Sequence, residues 1–348
     1  MIKASYHKFL LNFKIPSGTS RGVLRTKETW FIVITDDKKQ GVGECGLFRG
    51  LSIDDRPDFE KKLQWVCKNI HLRLEVLLQK LIEFPSIQFG LEQAFLSLGS
   101  NDKFILFPSK FTQGKTIISI NGLVWMGSKE FMRRQINQKI SDGFNCIKMK
   151  IGAIDFETEF KLLSSIRKEF SSTEIELRVD ANGAFTPKNA LEKLKRLSDL
   201  DLHSIEQPIK QGQFNEMAEL CEKSPLPIAL DEELIGVFSS EAKVALLQII
   251  QPQYIILKPS LIGGFQGSKE WITLAEKQGT NWWITSALES NIGLNAIAQF
   301  TYILGNNMPQ GLGTGSLFTN NFESPLQVKN GTLQYNTNLK WQIDLTRL

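Results

Sequence analysis

The spacing of apolar positions changes character about a third of the way along the chain. In the first part, IKASYHKFLLNF and ETWFIVIT carry strand patterns, whereas residues 57–80 and 86–98 repeat apolar positions every three to four residues, as amphipathic helices do. That combination predicts an α+β unit. From Thr116 onward short β-branched or apolar runs alternate with helical periods. Strands are predicted near 117–120, 146–150, 175–180, 203–206, 227–231, 254–258 and 282–286, with an eighth short one near Gln310. Between them lie helices such as SKEFMRRQINQKI, DFETEFKLLSSIRKEF, PKNALEKLKRL and GGFQGSKEWITLAEKQ, with starts at Ser128 and Pro187 and stops at Gly143 and Gly279. About eight such units close a barrel. The tail VKNGTLQYNTNLKWQIDL reads as a hairpin that returns to the N-terminal unit, because an isolated hairpin is marginal in water.

Polar residues arrive where these strands stop. Asp180 ends LRVD, Glu206 ends HSIE and Asp231 ends PIALD, at intervals of 26 and 25 residues, the length of one strand–helix–strand repeat. A single carboxylate at such a place is usually a loop residue or a helix cap. Three in register predict one oxygen-rich site suited to a hard cation such as Mg²⁺, with Mn²⁺ as a substitute. Lys148 and Lys150 end the preceding strand CIKMK, and Lys258 ends YIILK after the carboxylates. Lys148 and Lys150 point to one side of their strand, so their ammonium groups should depress each other's hold on a proton and leave one as a base near neutral pH. Asn182 and Glu232, beside the carboxylates, are expected to orient them. Ser286 in ITSALES, and Gly313 and Thr314 in GLGTGS, end strands seven and eight, where backbone amides and hydroxyls suit a carboxylate. Residues 16–26, PSGTSRGVLRT, predict a loop closing over the barrel mouth, with Arg21 as a candidate substrate contact.

Composition narrows the partners. The chain has 348 residues, with 41 Lys plus Arg against 37 Asp plus Glu, a net charge of +4 and no basic run, which argues against a nucleic-acid surface. The expected partner is a small anionic carboxylate substrate; further copies of the same chain are compatible with the composition. Four scattered cysteines without a C-x-x-C pair read as reduced thiols of a cytoplasmic protein. No apolar stretch reaches the roughly 18 residues of a membrane span, and no signal-peptide order is seen at Met1. Gly41-Val42-Gly43-Glu44-Cys45-Gly46 matches G-x-G-x-x-G but follows a strand without opening a helix, so it reads as turn and strand rather than a dinucleotide site. His7, His71 and His203 are too dispersed for a metal cluster.

The order K-x-K, D-x-N, E-Q-P, D-E and K-P-x-x-x-G-G over successive strands resembles the enolase superfamily, in its muconate-lactonizing subgroup. Enolase-type sites pair a lysine or histidine base with Mg²⁺. Within the subgroup the chain is most similar to the o-succinylbenzoate synthases, through PSGTSRGVLRTKETWF, FPSIQFGLEQA and GLGTGSLFTNN. The resemblance implies an α/β fold, a modified (β/α)8 TIM-type barrel of (β/α)7β form over 113–317, and an α+β capping domain over 1–112 completed by the tail 318–348. It implies Mg²⁺ on Asp180, Glu206 and Asp231, Lys150 as the base, Lys258 as a cation on the opposite side, Lys148 tuning Lys150, and dehydration of a cyclohexadiene carboxylate in menaquinone synthesis. N-succinylamino-acid racemases and dipeptide epimerases share the same lysines and ligands and are the alternative; the absence of acids in GLGTGS disfavours a dipeptide's ammonium group.

Overall fold

The computed structural model describes residues 2–19 and 22–343. Strands β1 (Lys3–Thr19), β2 (Gly22–Thr35) and β3 (Gln40–Cys45) form an antiparallel sheet in that order. Of the residues expected as a loop over 16–26, those described, 16–19 and 22–26, extend the β1–β2 ribbon instead, with Ser17 opposite Leu24 and Gly18 opposite Val23. Pro16 falls where the register shifts between Asn12 and Ser17, so its missing N–H interrupts no regular ladder. Gly18 also bridges Met126, which brings the ribbon onto the barrel. Arg21 lies outside the described residues.

Helices α1 (Phe59–Lys68), α2 (Leu74–Gln79) and α3 (Pro85–Gly99) follow. The single helix expected over 57–80 is broken because Asn69 turns its side-chain amide back onto the Trp65 carbonyl at the end of α1. Trp30, Ile32, Leu63, Leu77 and Leu91 bury a core between sheet and helices. Helix α3 lies almost directly on the β3 backbone. A Cβ at Gly43 would stand 2.8 Å from both Ala94 N and Gln93 Cβ, and one at Gly90 would stand 2.5 Å from Cys45 Sγ. The glycines of the G-x-G-x-x-G stretch are therefore packing residues.

The remaining elements are β4 (Ile117–Ser119), β5 (Gly122–Val124), α4 (Lys129–Ser141), β6 (Cys146–Lys150), α5 (Phe156–Glu169), β7 (Glu176–Asp180), α6 (Pro187–Ser198), β8 (Ser204–Glu206), α7 (Phe214–Lys223), β9 (Ile228–Leu230), α8 (Ser240–Ile250), β10 (Tyr254–Leu257), α9 (Gly264–Lys277), β11 (Asn281–Ile284), α10 (Asn291–Leu304), β12 (Leu326–Lys329) and β13 (Thr332–Tyr335). Strands β5 to β11 form one parallel sheet in sequential order. Single bridges from Gly311 to Thr285 and from Gln310 to Ile120 add the eighth segment and close a TIM-type barrel. Ser128 caps α4 by accepting from the Phe131 N–H, and Thr186 with Asn189 forms a capping box around Pro187 at the start of α6.

The first barrel strand is Gly122–Val124, not 117–120. Strand β4 pairs with β13 and matches Ile118 to Leu333, both buried, so the tail hairpin joins the N-terminal end of the barrel rather than the β1–β3 sheet. The segments on either side of the hairpin do reach that sheet: Phe318 bridges Phe13, Phe322 packs on Phe9 and Phe31, and Trp341 and Ile343 at the end of the tail pack on the cluster of Phe31, Val33 and Val42. Among the described residues no helix is long and apolar enough to cross a membrane.

Candidate active site

Parallel register places the polar strand ends side by side. Lys150 is opposite Asp180, Asp180 opposite Glu206 and Glu206 opposite Ala229, with Asp231 just beyond β9 and Lys258 just beyond β10. One level below, Lys148 is opposite Arg178. Lys148, Lys150, Asp180, Asn182 and Lys258 face a cavity of about 700 Å³ to which Phe48 and Leu51 contribute from beyond β3. Glu206 and Asp231 are buried behind the lysines.

Each carboxylate meets an ammonium group. Lys148 Nζ donates to Glu206 Oε2 and lies 3.2 Å from Asp180 Oδ2. Lys150 Nζ donates to Asp180 Oδ2 at 2.7 Å and to Asn182 Oδ1 at 2.8 Å, and Lys258 Nζ donates to Asp231 Oδ2. Burial opposes ionisation of Asp180, but Lys150 and Lys148 outweigh it and hold the carboxyl far below its usual range. Burial and the Asp180 charge push Glu206 up, and burial raises Asp231 despite Lys258. The mutual depression expected of the lysine pair is not what Lys148 shows. Burial disfavours its charge, yet contact with Glu206 and Asp180 raises its pKa above the ordinary lysine value, because the carboxylates dominate its field. Lys258 is raised in the same way, chiefly by Asp231.

Among the described residues no three His, Cys, Asp or Glu side chains stand as a metal cage, since the lysine ammonium groups lie against the carboxylates. The donor set nonetheless fits a hard dication. Three carboxylates converge in a buried place that already gathers positive charge, and Glu206 Oε1 is buried without a hydrogen-bond partner.

Asn182 N–H donates to Asp180 Oδ1, and Asn182 Nδ2 donates to Glu232 Oε1 at 3.1 Å, so both residues adjoin the lysine–carboxylate cluster. Ser286 Oγ lies 2.6 Å from Thr314 Oγ1, and both line the cavity with Gly313. His203 packs on Tyr254 at the opposite end of the barrel. Gln207 is the residue that sequence reading left without a role. Buried after β8, it donates to Glu233 Oε2 and the Ile209 carbonyl while its Oε1 accepts from the Asp231 N–H, which links the ends of β8 and β9. An uninterrupted polar pair at two successive strand ends, Glu206-Gln207 and Asp231-Glu232, was the available signal. Asn182, Gln207 and Leu288 all adopt left-handed backbone with φ of 43°, 41° and 63°, a clustering of strain typical of functional loops.

The family model for the enolase C-terminal domain-like proteins matches residues 131–339. The o-succinylbenzoate synthase of Desulfotalea psychrophila is 47% identical over 363 aligned positions, covering 95% of this chain and 98% of that protein. The crystal structure of MenC from Desulfotalea psychrophila superposes with a TM-score of 0.85 at 44% identity, covering 96% and 99% of the two chains. A dipeptide epimerase from Enterococcus faecalis, solved with Mg and the dipeptide L-Leu-L-Tyr, shares the fold with a TM-score of 0.82 at 18% identity, over 96% and 97% of the chains. A whole-length match at 47% identity to one lyase, against a more distant likeness to the epimerases, gives the conclusion that this chain belongs to the o-succinylbenzoate synthases of the enolase superfamily.

Proposed function

We propose that the chain dehydrates 2-succinyl-6-hydroxy-2,4-cyclohexadiene-1-carboxylate to 2-succinylbenzoate, as a cytoplasmic Mg²⁺-dependent step of menaquinone synthesis. The observation that carries this reading is the placement of Lys150 and Lys258 around buried Asp180, Glu206 and Asp231 at one cavity wall. Asp180, Glu206 and Asp231 would hold Mg²⁺, which supplies Lewis-acid polarisation of the substrate carboxylate. Lys150, working as the free amine, accepts the proton from the ring carbon that bears the carboxylate. The C–H electrons move into the ring and the neighbouring C–O bond breaks. The Lys150 ammonium returns its proton to the departing hydroxyl, so water leaves and the ring becomes aromatic. Lys258 stabilises the negative charge that builds on the substrate without transferring a proton, an interaction stronger in the transition state than before it. Asn182 orients Lys150 through its side-chain oxygen. Ser286, Thr314 and Gly313 would receive the succinyl carboxylate, with Phe48 and Leu51 covering the ring. In this reading residues 1–112 close the site, and residues 113–317 carry the chemistry.

The test is to assay purified protein with the cyclohexadiene carboxylate and with an N-succinylamino acid side by side, before and after chelation. Turnover of the first, lost on chelation and restored by Mg²⁺ or Mn²⁺, is expected. Racemisation of the second with no dehydration of the first would replace this reading by the racemase one, and full activity after metal removal verified by elemental analysis would remove the metal from it.

A further inference from the structure

Behind the cavity wall lies a second ionic cluster that the dehydration chemistry does not use. Glu289 is fully buried; its Oε1 accepts from Ser260 Oγ at 2.5 Å and its Oε2 from the Ala287 N–H at 2.6 Å. Ser260 is two residues beyond Lys258, in the short turn whose Leu261 N–H returns to the Lys258 carbonyl at 2.8 Å. Ala287 belongs to the turn between Ser286 and Glu289, which also contains Leu288 in left-handed backbone at the cavity wall. One carboxylate thus fastens two stretches of backbone, one following Lys258 and one following Ser286.

The β1–β3 sheet covers this carboxylate. A Cβ at Gly46, just past β3, would stand 3.0 Å from Glu289 Cγ and 3.2 Å from Ser260 Cβ, so the backbone there rests on both side chains. Lys27 on β2 is buried, and among the described residues its ammonium group has no hydrogen-bond partner. Burial lowers its pKa, while Glu289 first and then Glu44 pull the other way. Glu44 on β3 is itself committed: it accepts from Thr29 Oγ1, from the Ser290 N–H and hydroxyl, and from the Gly293 N–H at the start of α10. An unpaired ammonium group costs most where no water reaches it, and Glu289 and Glu44 are the carboxylates whose charge offsets that cost, although burial raises the pKa of Glu289 itself.

We propose that Glu289 is a positioning residue that sets the backbone carrying Lys258 and Ser286 according to how the β1–β3 sheet is seated. The inference rests on the proposed roles of Lys258 and Ser286 in the dehydration. The sheet then acts on the lysine side of the site without touching substrate there. Loss of the Glu289 charge lets the two turns drift, and a displacement of the order of 1 Å at a reacting group is enough for a large rate effect.

The test uses the full chain with Glu289→Gln, Lys27→Met, the two combined, and Ser260→Ala. With saturating Mg²⁺, Glu289→Gln should lower kcat by roughly ten- to a hundredfold while KM stays within about threefold. The combined variant should be no worse than Glu289→Gln, because removing both charges leaves no buried ammonium unpaired. Hydrogen–deuterium exchange should rise over residues 258–264 and 286–290 in Glu289→Gln and in Ser260→Ala, with the β1–β3 sheet unchanged. A Glu289→Gln protein that melts earlier but keeps its kcat would reduce the residue to a structural one, and additive losses in the combined variant would separate Lys27 from it. Unchanged exchange in both stretches overturns the proposal whatever the activity. An inactive parent protein, by contrast, strikes at the proposed reaction, and the exchange comparison alone then decides the inference.

Discussion

Gly43→Ala puts a number on the contact between α3 and β3. Gly43 is not in left-handed backbone, so alanine is conformationally acceptable and the substitution isolates packing. The added methyl would stand at 2.8 Å from Ala94 N and Gln93 Cβ, where ordinary contact begins at 3.4 Å, and closer still to the Gly90 carbonyl oxygen. Two of these are main-chain atoms of α3, which cannot rotate away, so the helix must lift from the strand. Overpacking of this kind costs about 1–3 kcal/mol, and the backbone partners place Gly43→Ala at the upper end. Alanine restricts the unfolded chain and offsets about 0.4–1 kcal/mol of that. The net expectation is a loss of about 2 kcal/mol, or a Tm lower by about 3 °C for a chain of this size. Gly99→Ala is the control: it lies in the same helix, with nothing within 4 Å of the added atom, and should be neutral or slightly stabilising. Helix α3 also carries Glu92, whose carboxylate accepts from the Phe265 and Gln266 N–H groups at the start of α9, so kcat should fall along with stability in Gly43→Ala alone. Thermal and urea unfolding of both variants, with activity measured on the same preparations, decides it. Equal stability of Gly43→Ala and Gly99→Ala would refute the reading of this stretch as a packing surface.

The same Glu92 gives a pH prediction. Burial raises its pKa from 4.5 to about 7, so between those values the folded state keeps a proton that the unfolded chain has released, and stability falls as pH rises through that window. Glu92→Gln has no such proton, so urea unfolding from pH 5 to 8 should show the variant gaining on the parent by up to about 3 kcal/mol. Lys150→Ala should lower dehydration by roughly 10³-fold or more, since one group serves as base and then as acid, with the fold intact by circular dichroism. Asp180→Asn should weaken Mg²⁺ binding by roughly ten- to a hundredfold in calorimetric titration.

The repeat of strand ends was legible because parallel strands joined by helices impose a near-constant interval, and Lys150, Asp180 and Glu206 do share one register level. The lysines' partners were not legible. Spacing places Lys148 beside Lys150, but only the fold shows that Glu206 and Asp180 both reach Lys148 and reverse the expected shift of its pKa. TIISI, an alternating β-branched run, looked more like a barrel strand than the glycine-led Gly122–Val124, because local pattern reports strand propensity and not which sheet the strand joins. The ribbon through 16–19 and 22–26 was hidden for a related reason: proline marks a loop unless it falls at a register break, as Pro16 does, and Gly18 and Gly22 are paired within the ladder. Gln207 was visible as a letter within E-Q-P, but its bonds to Glu233 and Asp231 arise from neighbouring strands about 25 residues away.

The closure of the barrel has a mechanical consequence. Seven strands share continuous ladders, while the eighth segment is stitched in at Gln310 and Gly311 by single bridges on either side. Immediately beyond that stitching the chain runs through Gly311, Gly313, Thr314 and Gly315 along the cavity. Two backbone hydrogen bonds tie the eighth segment on each side, Asn121 N–H to the Gln310 carbonyl and Gln310 N–H to the Ser119 carbonyl on one, Gly311 N–H to the Ile284 carbonyl and Ser286 N–H to the Gly311 carbonyl on the other, so a very short segment forms one wall of the cavity. Substitutions along Gly313, Thr314 and Gly315 can alter the fit there, while the opposite wall, where β6, β7 and β8 hold Lys150, Asp180 and Glu206 in register, keeps its dimensions. The division leaves one side of the pocket free to change its fit through a few residues and the other side rigid enough to keep the chemistry the same.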